Sequence, residues 1–149
     1  MAHSRFAQAL AIGMLAASIP LLAACSGILT GTTALQGSWV LESGSDAEGS
    51  FIEPVQPITL VFEGDALSGQ APCNPYSGTV QRGPGAGGTG PIELPGVSRT
   101  EMGCAEQEQN LLESRYFAAL ENADRVAIEG DLLELTGEGI YLLFERAAS

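Results

Sequence analysis

The chain lacks lysine, and its only histidine is His3. Its six basic residues are all arginine and stand against 18 acidic residues, so the formal net charge is −12. A surface this acidic repels phosphate groups, which excludes nucleic-acid binding through a basic patch. Because no imidazole follows His3, the rest of the chain cannot build a Ser-His-Asp triad, a Cys-His pair or a histidine-containing zinc site.

The first 24 residues are typical of a secretory signal peptide. Arg5 gives a basic start, and an apolar run that ends in small residues follows it. A transmembrane helix is the competing interpretation, but Gln8, Ser18 and Pro20 interrupt the run. We therefore expect residues 1–24 to direct export and to be removed.

The end of this run, LLAAC, resembles the lipobox of bacterial lipoproteins. The resemblance implies that Cys25 is diacylated and becomes the N-terminus of the mature chain, whereas a buried structural cysteine is the alternative. Two acyl chains hold a protein on a bilayer far better than one, so we expect a stable anchor followed by a tether, together residues 25–35. The protein would then lie outside the cytoplasm, on the outer face of the cell membrane or, in a two-membrane bacterium, in the outer membrane.

From residue 36 onward, short alternating segments bounded by glycine and proline predict antiparallel strands. In ITLVFEG, for example, Ile58, Leu60 and Phe62 fall on one face. The pattern recurs about eight times. The glycine-rich residues 83–91 predict a loop rather than a phosphate-binding site, because no lysine and no helix start follow them.

One helix is predicted over residues 105–122, where Leu112, Tyr116 and Leu120 recur every four positions as an apolar stripe. The stripe is most simply explained by packing against the sheet. The sequence therefore predicts an α+β fold, a curled, barrel-like antiparallel sheet of about eight strands with one covering helix. The 125 residues that begin at Cys25 fit a single domain with a short tether.

Five segments occur in the order found in the META domain family: LQGSWVLES, PITLVFEGDALSG, CNPYSGTV, TEMGCAEQEQNLLESRYFAAL and LLELTGEGIYLLFER. The chain resembles META domains, and among them the HslJ-like group of heat-inducible lipoproteins. The resemblance implies a META domain over residues 36–146 with a barrel-like sheet and one helix. It also implies a role in stress response, without an established catalytic mechanism.

Cys73 lies in the motif SGQAPCNPYSG, residues 68–78, and three roles compete for it. A nucleophile needs a nearby base or cation, yet no basic residue lies within eight positions of Cys73. A metal site needs more ligands than Cys73 and Cys104 offer once Cys25 is acylated. A disulfide with Cys104 needs only the oxidising compartment that export supplies, so we favour it and predict no metal and no cofactor.

Asn74 and Tyr76, in the same motif, are candidates for a ligand or motif face at the mouth of the sheet. A structural role is the favoured alternative, with Asn74 bonding the backbone of a turn and Tyr76 packing its ring while its hydroxyl reaches solvent. An enzyme would have to use paired carboxylates such as Glu101, Glu106 and Glu108, but acidic residues are so abundant that a close pair is expected by chance. We therefore predict no catalytic residue.

These observations predict a monomeric, lipid-anchored, extracytoplasmic protein that acts without catalysis as a binding or stress-protection module of the envelope. Its expected partners are the membrane, through the anchor, and an envelope protein or small apolar ligand, with no nucleic acid. One alternative is a carrier or chaperone-like assembly module that holds a lipid or an apolar peptide in the curled sheet. A hydrolase is a third.

Overall fold

The computed structural model describes residues 34–84 and 88–148. The predicted signal peptide, Cys25 and the tether up to residue 33 lie outside the described residues. Among the described residues, no helix is long and apolar enough to cross a membrane. These residues form one helix, α1 (Gln107–Asn122), and eleven strands: β1 Gly37–Asp46, β2 Gly49–Ser50, β3 Thr59–Glu63, β4 Ala66–Gln70, β5 Pro75–Thr79, β6 Gln81–Arg82, β7 Thr89–Glu93, β8 Ser98–Arg99, β9 Arg125–Glu129, β10 Leu132–Gly137 and β11 Ile140–Arg146.

All the strand pairings are antiparallel, and the order across the sheet is β6-β7-β9-β10-β11-β1-β3-β4-β5-β8, with β2 beside β1. Strands β5 and β6 lie near opposite ends of this order, yet only Val80 separates them in the chain. The sheet therefore curls into a half-barrel. The predicted α+β fold, a curled antiparallel sheet with one helix, is confirmed.

Eight of the strands have five residues or more, which matches the predicted number, and β2, β6 and β8 have two residues each. The loop predicted over residues 83–91 is wrong at its end, because residues 89–91 form the first part of β7 and pair with β9. Strand β3 shows why alternation found the longer strands: Leu60 and Phe62 are buried, whereas Glu63 is exposed. A strand of two residues is too short to leave such a pattern. The three short strands were therefore not predictable from alternation.

The interior of the curled sheet is filled by apolar side chains, and α1 covers it. The predicted stripe of Leu112, Tyr116 and Leu120 is at most 2% exposed. Leu35, which the sequence places at the end of the tether, is fully buried in the same core. The largest buried side chains are Trp39, Tyr116, Phe62, Phe117 and Phe144.

Helix α1 begins two residues later than predicted, at Gln107. Glu106 has an extended backbone, and the side chain of Asn110 holds the preceding turn by accepting from the Cys104 N–H at 2.9 Å and donating to the Cys104 carbonyl at 3.3 Å. The turn thereby fixes Cys104 at the start of the helix.

Candidate functional site

A disulfide joins Cys73, in the connection between β4 and β5, to Cys104, just before α1. The two Cα atoms lie 5.4 Å apart, a separation typical of disulfides. Of the three roles that compete for Cys73, the structure shows the disulfide, which links the connection between β4 and β5 to the start of α1.

Asn74 is 2% exposed and uses all four hydrogen-bonding positions of its side chain. Nδ2 donates to the Met102 carbonyl at 2.8 Å and to Oε1 of Glu113 at 2.5 Å. Oδ1 accepts from the Thr100 hydroxyl at 2.6 Å and from the Met102 N–H at 2.7 Å. Through these hydrogen bonds Asn74 holds residues 100–102 against the motif.

Glu113 completes this network and was not among the residues predicted from the sequence. The side chain is only 8% exposed, and Oε2 accepts from the backbone N–H groups of Cys73 at 2.8 Å and Asn74 at 3.0 Å. A signal was present, because Glu113 follows Leu112 and precedes Tyr116 by three positions, which places a carboxylate on the buried face of α1.

Tyr76 is 4% exposed, and its hydroxyl lies in the core rather than in solvent. It donates to the Thr59 carbonyl at 2.7 Å and lies 2.6 Å from the hydroxyl of Tyr116. Burial raises the pKa of both tyrosines, so both hydroxyls stay protonated. Tyr76 also packs edge to face against Tyr116 and Phe117.

The carboxylates of Glu101, Glu106 and Glu108 are exposed around the start of α1. They do not join the buried network. Among the described residues, the acidic side chain in that network is Glu113. The motif thus carries buried hydrogen bonds and a disulfide, which are features of a region that stabilises the fold.

A second feature is an open groove of about 870 Å³ between β1 and the segment of residues 51–57, which we call the wall segment. Its apolar lining includes Leu41, Phe51, Ile52 and Val55. Glu42 and Glu53 contribute carboxylates. The groove is therefore both apolar and acidic.

The groove exists because β1 has a gap in its pairing. Strand β3 pairs with Gly37–Val40 and β2 pairs with Ser45–Asp46. Residues 41–44 therefore face no strand on that side, although the Leu41 N–H donates to the Ile58 carbonyl at 2.9 Å and the Gly44 carbonyl accepts from the Phe51 N–H at 2.8 Å. Pro54 and Pro57 lie in the wall segment and have no backbone N–H to donate, which disfavours continuous pairing there.

The wall segment is fixed at its middle by α1 and at its end by the motif. Gln109 is 5% exposed; its Oε1 accepts from the Val55 N–H at 3.2 Å, and its Nε2 donates to the Glu53 carbonyl at 3.2 Å. Gln56 Nε2 donates to the Pro72 carbonyl at 2.6 Å. The motif therefore supports the groove although its polar side chains are buried.

Arg115 fixes the start of the wall segment. Its guanidinium bonds both carboxylate oxygens of Asp46, at 2.8 and 2.5 Å, and donates to the Gly49 carbonyl at 2.7 Å. The same guanidinium lies 4.8 Å from the ring centre of Phe51. Gly44 is required beneath that ring, because a Cβ there would lie 2.5 Å from Phe51.

We expect Asp46→Asn to remove part of the acid sensitivity of the fold. The hydrogen bond from Arg115 lowers the pKa of Asp46 below its ordinary 3.8, so near pH 4 the unfolded chain binds more protons at this site. The stabilisation, about 1 to 2 kcal/mol, is complete above about pH 5 and is lost as the pH falls through the folded-state pKa. Urea unfolding between pH 7 and pH 3 measures it.

The control for this prediction is Asp131→Asn. Asp131 pairs with Arg146 at 3.5 Å, but its side chain is 78% exposed. An exposed pair of this kind contributes about 0 to 1 kcal/mol. An Asp46→Asn variant with the same pH profile as Asp131→Asn would show that the contact with Arg115 adds no acid-sensitive stability.

Comparison with known proteins adds a family and a fold. The META domain profile matches residues 32–149. None of the curated proteins matches the chain significantly. An NMR structure of a protein from Burkholderia xenovorans is 26% identical, with a TM-score of 0.65 over 80% of this chain and 88% of that chain.

Two further solved structures share the fold at lower identity. One is an NMR structure, 22% identical, with a TM-score of 0.58 over 80% of this chain and 96% of the other. The other is a crystal structure of a DUF4847 family protein from Bacteroides vulgatus, 15% identical, with a TM-score of 0.52 over 77% of this chain and 95% of the other.

Proposed function

The chain belongs to the META domain family, and from that premise we propose that it is a non-enzymatic binding module of the cell envelope, held outside the cytoplasm by a lipid on Cys25. The groove between β1 and the wall segment is the proposed binding site. The observation that carries the proposal is that this open space is bordered by a segment held at three points: by Gln109, by Gln56, and by Arg115 over the ring of Phe51. A pre-formed cleft of this kind is typical of binding sites.

The filled interior of the sheet favours a binding site on the surface over the alternative of a carrier that holds its ligand inside the sheet. Trp39, Phe62 and Phe144 occupy the interior and are at most 1% exposed. A lipid or peptide could enter only by displacing side chains from a close-packed core, which is energetically costly. The groove requires no such displacement.

The proposed location is supported by the sequence and by the disulfide. LLAAC resembles a lipobox, and Cys73–Cys104 suits an oxidising compartment. The net charge of −12 would keep the domain from lying on anionic headgroups, leaving the groove open to the envelope. We extend the proposal to an HslJ-like role in stress protection, exerted by binding.

Metabolic labelling with an alkyne-bearing palmitate tests the anchor. We expect the wild-type chain to carry the label and Cys25→Ser to lack it, because Cys25 is the proposed acylation site. Equal labelling of the two proteins would exclude Cys25 as the anchor. Protease treatment of intact cells, followed by immunoblotting, then reports on which side of the membrane the domain lies.

Site-specific photo-crosslinking in cells tests the binding site. A benzoylphenylalanine would replace Val55, which is 68% exposed in the groove, or Met102, which is 58% exposed beside the motif. We expect a discrete adduct from position 55 and none from position 102. An adduct confined to position 102 would move the site to the motif, and no adduct at either position would contradict a binding role.

A further inference from the structure

We propose that the domain, once its disulfide is reduced, binds a zinc ion through the sulfurs of Cys73 and Cys104 and the carboxylate of Glu113. The proposed site is separate from the groove, whose lining includes none of these three residues. Three features of the structure support it: the ligand atoms lie close together, hydrogen bonds other than the disulfide hold them there, and their chemistry suits zinc.

The three side chains lie within reach of a single ion. The sulfur of Cys73, the sulfur of Cys104 and a carboxylate oxygen of Glu113 all lie within 4.8 Å of one another. Zinc binds sulfur at about 2.3 Å and carboxylate oxygen at about 2.0 to 2.2 Å in a tetrahedral arrangement, so its ligand atoms are about 3.5 to 4 Å apart. The reduced sulfurs need only separate to that distance, and Glu113 supplies the third ligand that the two cysteines alone lack.

Hydrogen bonds hold the two cysteines near each other independently of the disulfide. Asn74, beside Cys73, accepts from the Met102 N–H at 2.7 Å and donates to the Met102 carbonyl at 2.8 Å. The Cys104 N–H donates to Oδ1 of Asn110 at 2.9 Å. None of these bonds involves a sulfur atom, so we expect both cysteines to keep their positions when the disulfide is reduced.

Donors around Glu113 orient its carboxylate. Oε2 accepts from the N–H groups of Cys73 and Asn74, and Oε1 accepts from Asn74 Nδ2. Hydrogen bonds of this kind orient a carboxylate that binds a metal. Because each carboxylate oxygen can accept two bonds, Oε1 keeps a lone pair for the ion. Cys73 and Cys104 are both half-buried, which leaves room for a water molecule as the fourth ligand.

Two thiolates and one carboxylate favour zinc over other common ions. Calcium and magnesium prefer ligand sets made of oxygen, and copper(I) prefers thiolates and thioethers. Zinc accepts sulfur and oxygen ligands in the same site. The mixed set of Cys73, Cys104 and Glu113 therefore matches zinc best.

Reduction by a dithiol makes the two sulfurs available. The dithiol gives two electrons and two protons to the Cys73–Cys104 bond, which breaks into two thiols, and the dithiol itself becomes a disulfide. Zinc then replaces the two thiol protons, which pass to solvent, so the apparent affinity for zinc should rise with pH. The two sulfurs bind either each other or the metal.

Titration with cobalt(II), a coloured substitute for zinc, tests the site in the full chain held in phosphatidylcholine nanodiscs. Cys25→Ser removes the third thiol, and a phosphine reduces the disulfide. We expect a thiolate-to-cobalt charge-transfer band that saturates at one ion per chain and disappears when zinc is added. The unreduced chain reports any ions held by surface carboxylates and should show no such band.

Glu113→Gln tests the carboxylate as a ligand. We expect this variant to bind cobalt about 10- to 100-fold more weakly, because the amide oxygen carries no charge. The matched control is Glu121→Gln, an exposed glutamate on the same helix, which should leave the affinity unchanged. Cys104→Ser keeps the carboxylate and one thiolate and should weaken binding at least as much as Glu113→Gln. Circular dichroism before each titration shows which variants are folded.

Urea unfolding gives a second readout, which needs no variant at Glu113. Zinc should raise the unfolding midpoint of the reduced chain and leave that of the unreduced chain unchanged, because a ligand stabilises only the state that binds it. A reduced, folded chain that shows neither the charge-transfer band nor the rise in midpoint would overturn the proposal. Equal cobalt affinities of Glu113→Gln and Glu121→Gln would remove Glu113 from the site and contradict the assigned ligand set.

Discussion

Glu113→Ala is expected to lower the free energy of unfolding by about 3 to 5 kcal/mol. The carboxylate accepts from the backbone N–H groups of Cys73 and Asn74 and from the side-chain amide of Asn74. Alanine leaves these donors without their acceptor in a largely buried site, and an unsatisfied buried donor costs about 1 to 3 kcal/mol. The loss is a large share of the 5 to 15 kcal/mol that is usual for a domain, so part of the population should be unfolded at 37 °C.

Two further variants make the Glu113 prediction specific. Glu121→Ala changes an exposed glutamate on the same helix and should alter stability by no more than about 0.5 kcal/mol. Glu113→Gln keeps one acceptor oxygen and should fall between the two alanine variants. Urea denaturation followed by circular dichroism measures all three. If Glu113→Ala matches Glu121→Ala, the buried network does not hold the motif in place.

Removal of the Cys73–Cys104 disulfide is expected to destabilise the domain by about 3 to 4 kcal/mol. The bond closes a loop with a sequence separation of 31 residues, and opening it restores chain entropy to the unfolded state. The double variant Cys73→Ala with Cys104→Ala should therefore unfold at much lower urea. Its unfolding should also be indifferent to reductant.

The wild-type chain provides the internal control for the disulfide. Its unfolding midpoint should fall towards that of the double variant when a phosphine reductant is added. Mass spectrometry of alkylated protein should find two additional alkylated thiols, at Cys73 and Cys104, only after reduction. Alkylation of both residues in freshly isolated, unreduced protein would show that the disulfide does not form in the native protein.

The sheet and the helix were predictable because their signals are local. Alternation located seven of the eight longer strands, and the stripe of Leu112, Tyr116 and Leu120 located α1. Alternation misplaced β7, because Gly90 and Pro91 are typical of a loop and hide its first half. The start of α1 was placed two residues too early, because acidic residues at the start of a helix look alike whether they lie in the first turn or before it. Cys104 and Cys73 were paired correctly because few alternatives existed.

The buried network was less predictable because its partners are far apart in sequence. Asn74 and Tyr76 were predicted as candidates, but their partner residues Glu113 and Tyr116 lie 39 and 40 positions away. Only the fold brings these side chains together. For this reason the expectation that the Tyr76 hydroxyl reaches solvent is wrong: the hydroxyl of Tyr116 gives it a hydrogen-bond partner inside the core.

The groove left no signal in the sequence. It arises where β2 and β3 both stop short of residues 41–44, and its wall is held by Gln109, whose contact with Val55 spans 54 positions. Alternation describes single strands and says nothing about gaps between paired strands. The motif of residues 68–78 supports this groove through Pro72, and its residues do not line the groove.

The motif is expected to stabilise the fold and the groove to bind the ligand, and one comparison separates these two roles. The measurement is the yield of the position-55 crosslink per folded molecule, taken in two backgrounds. Thr100→Val removes one hydrogen bond to Asn74 and should reduce stability by about 1 kcal/mol. Glu42→Gln with Glu53→Gln changes only the exposed lining of the groove.

We expect opposite outcomes in the two backgrounds. Thr100→Val should lower the urea midpoint and leave the crosslink yield per folded molecule unchanged. The groove variant should keep the wild-type midpoint and lose most of the crosslink. A Thr100→Val protein that keeps its stability and loses the crosslink, while the groove variant retains the crosslink, would make the motif and not the groove the binding site.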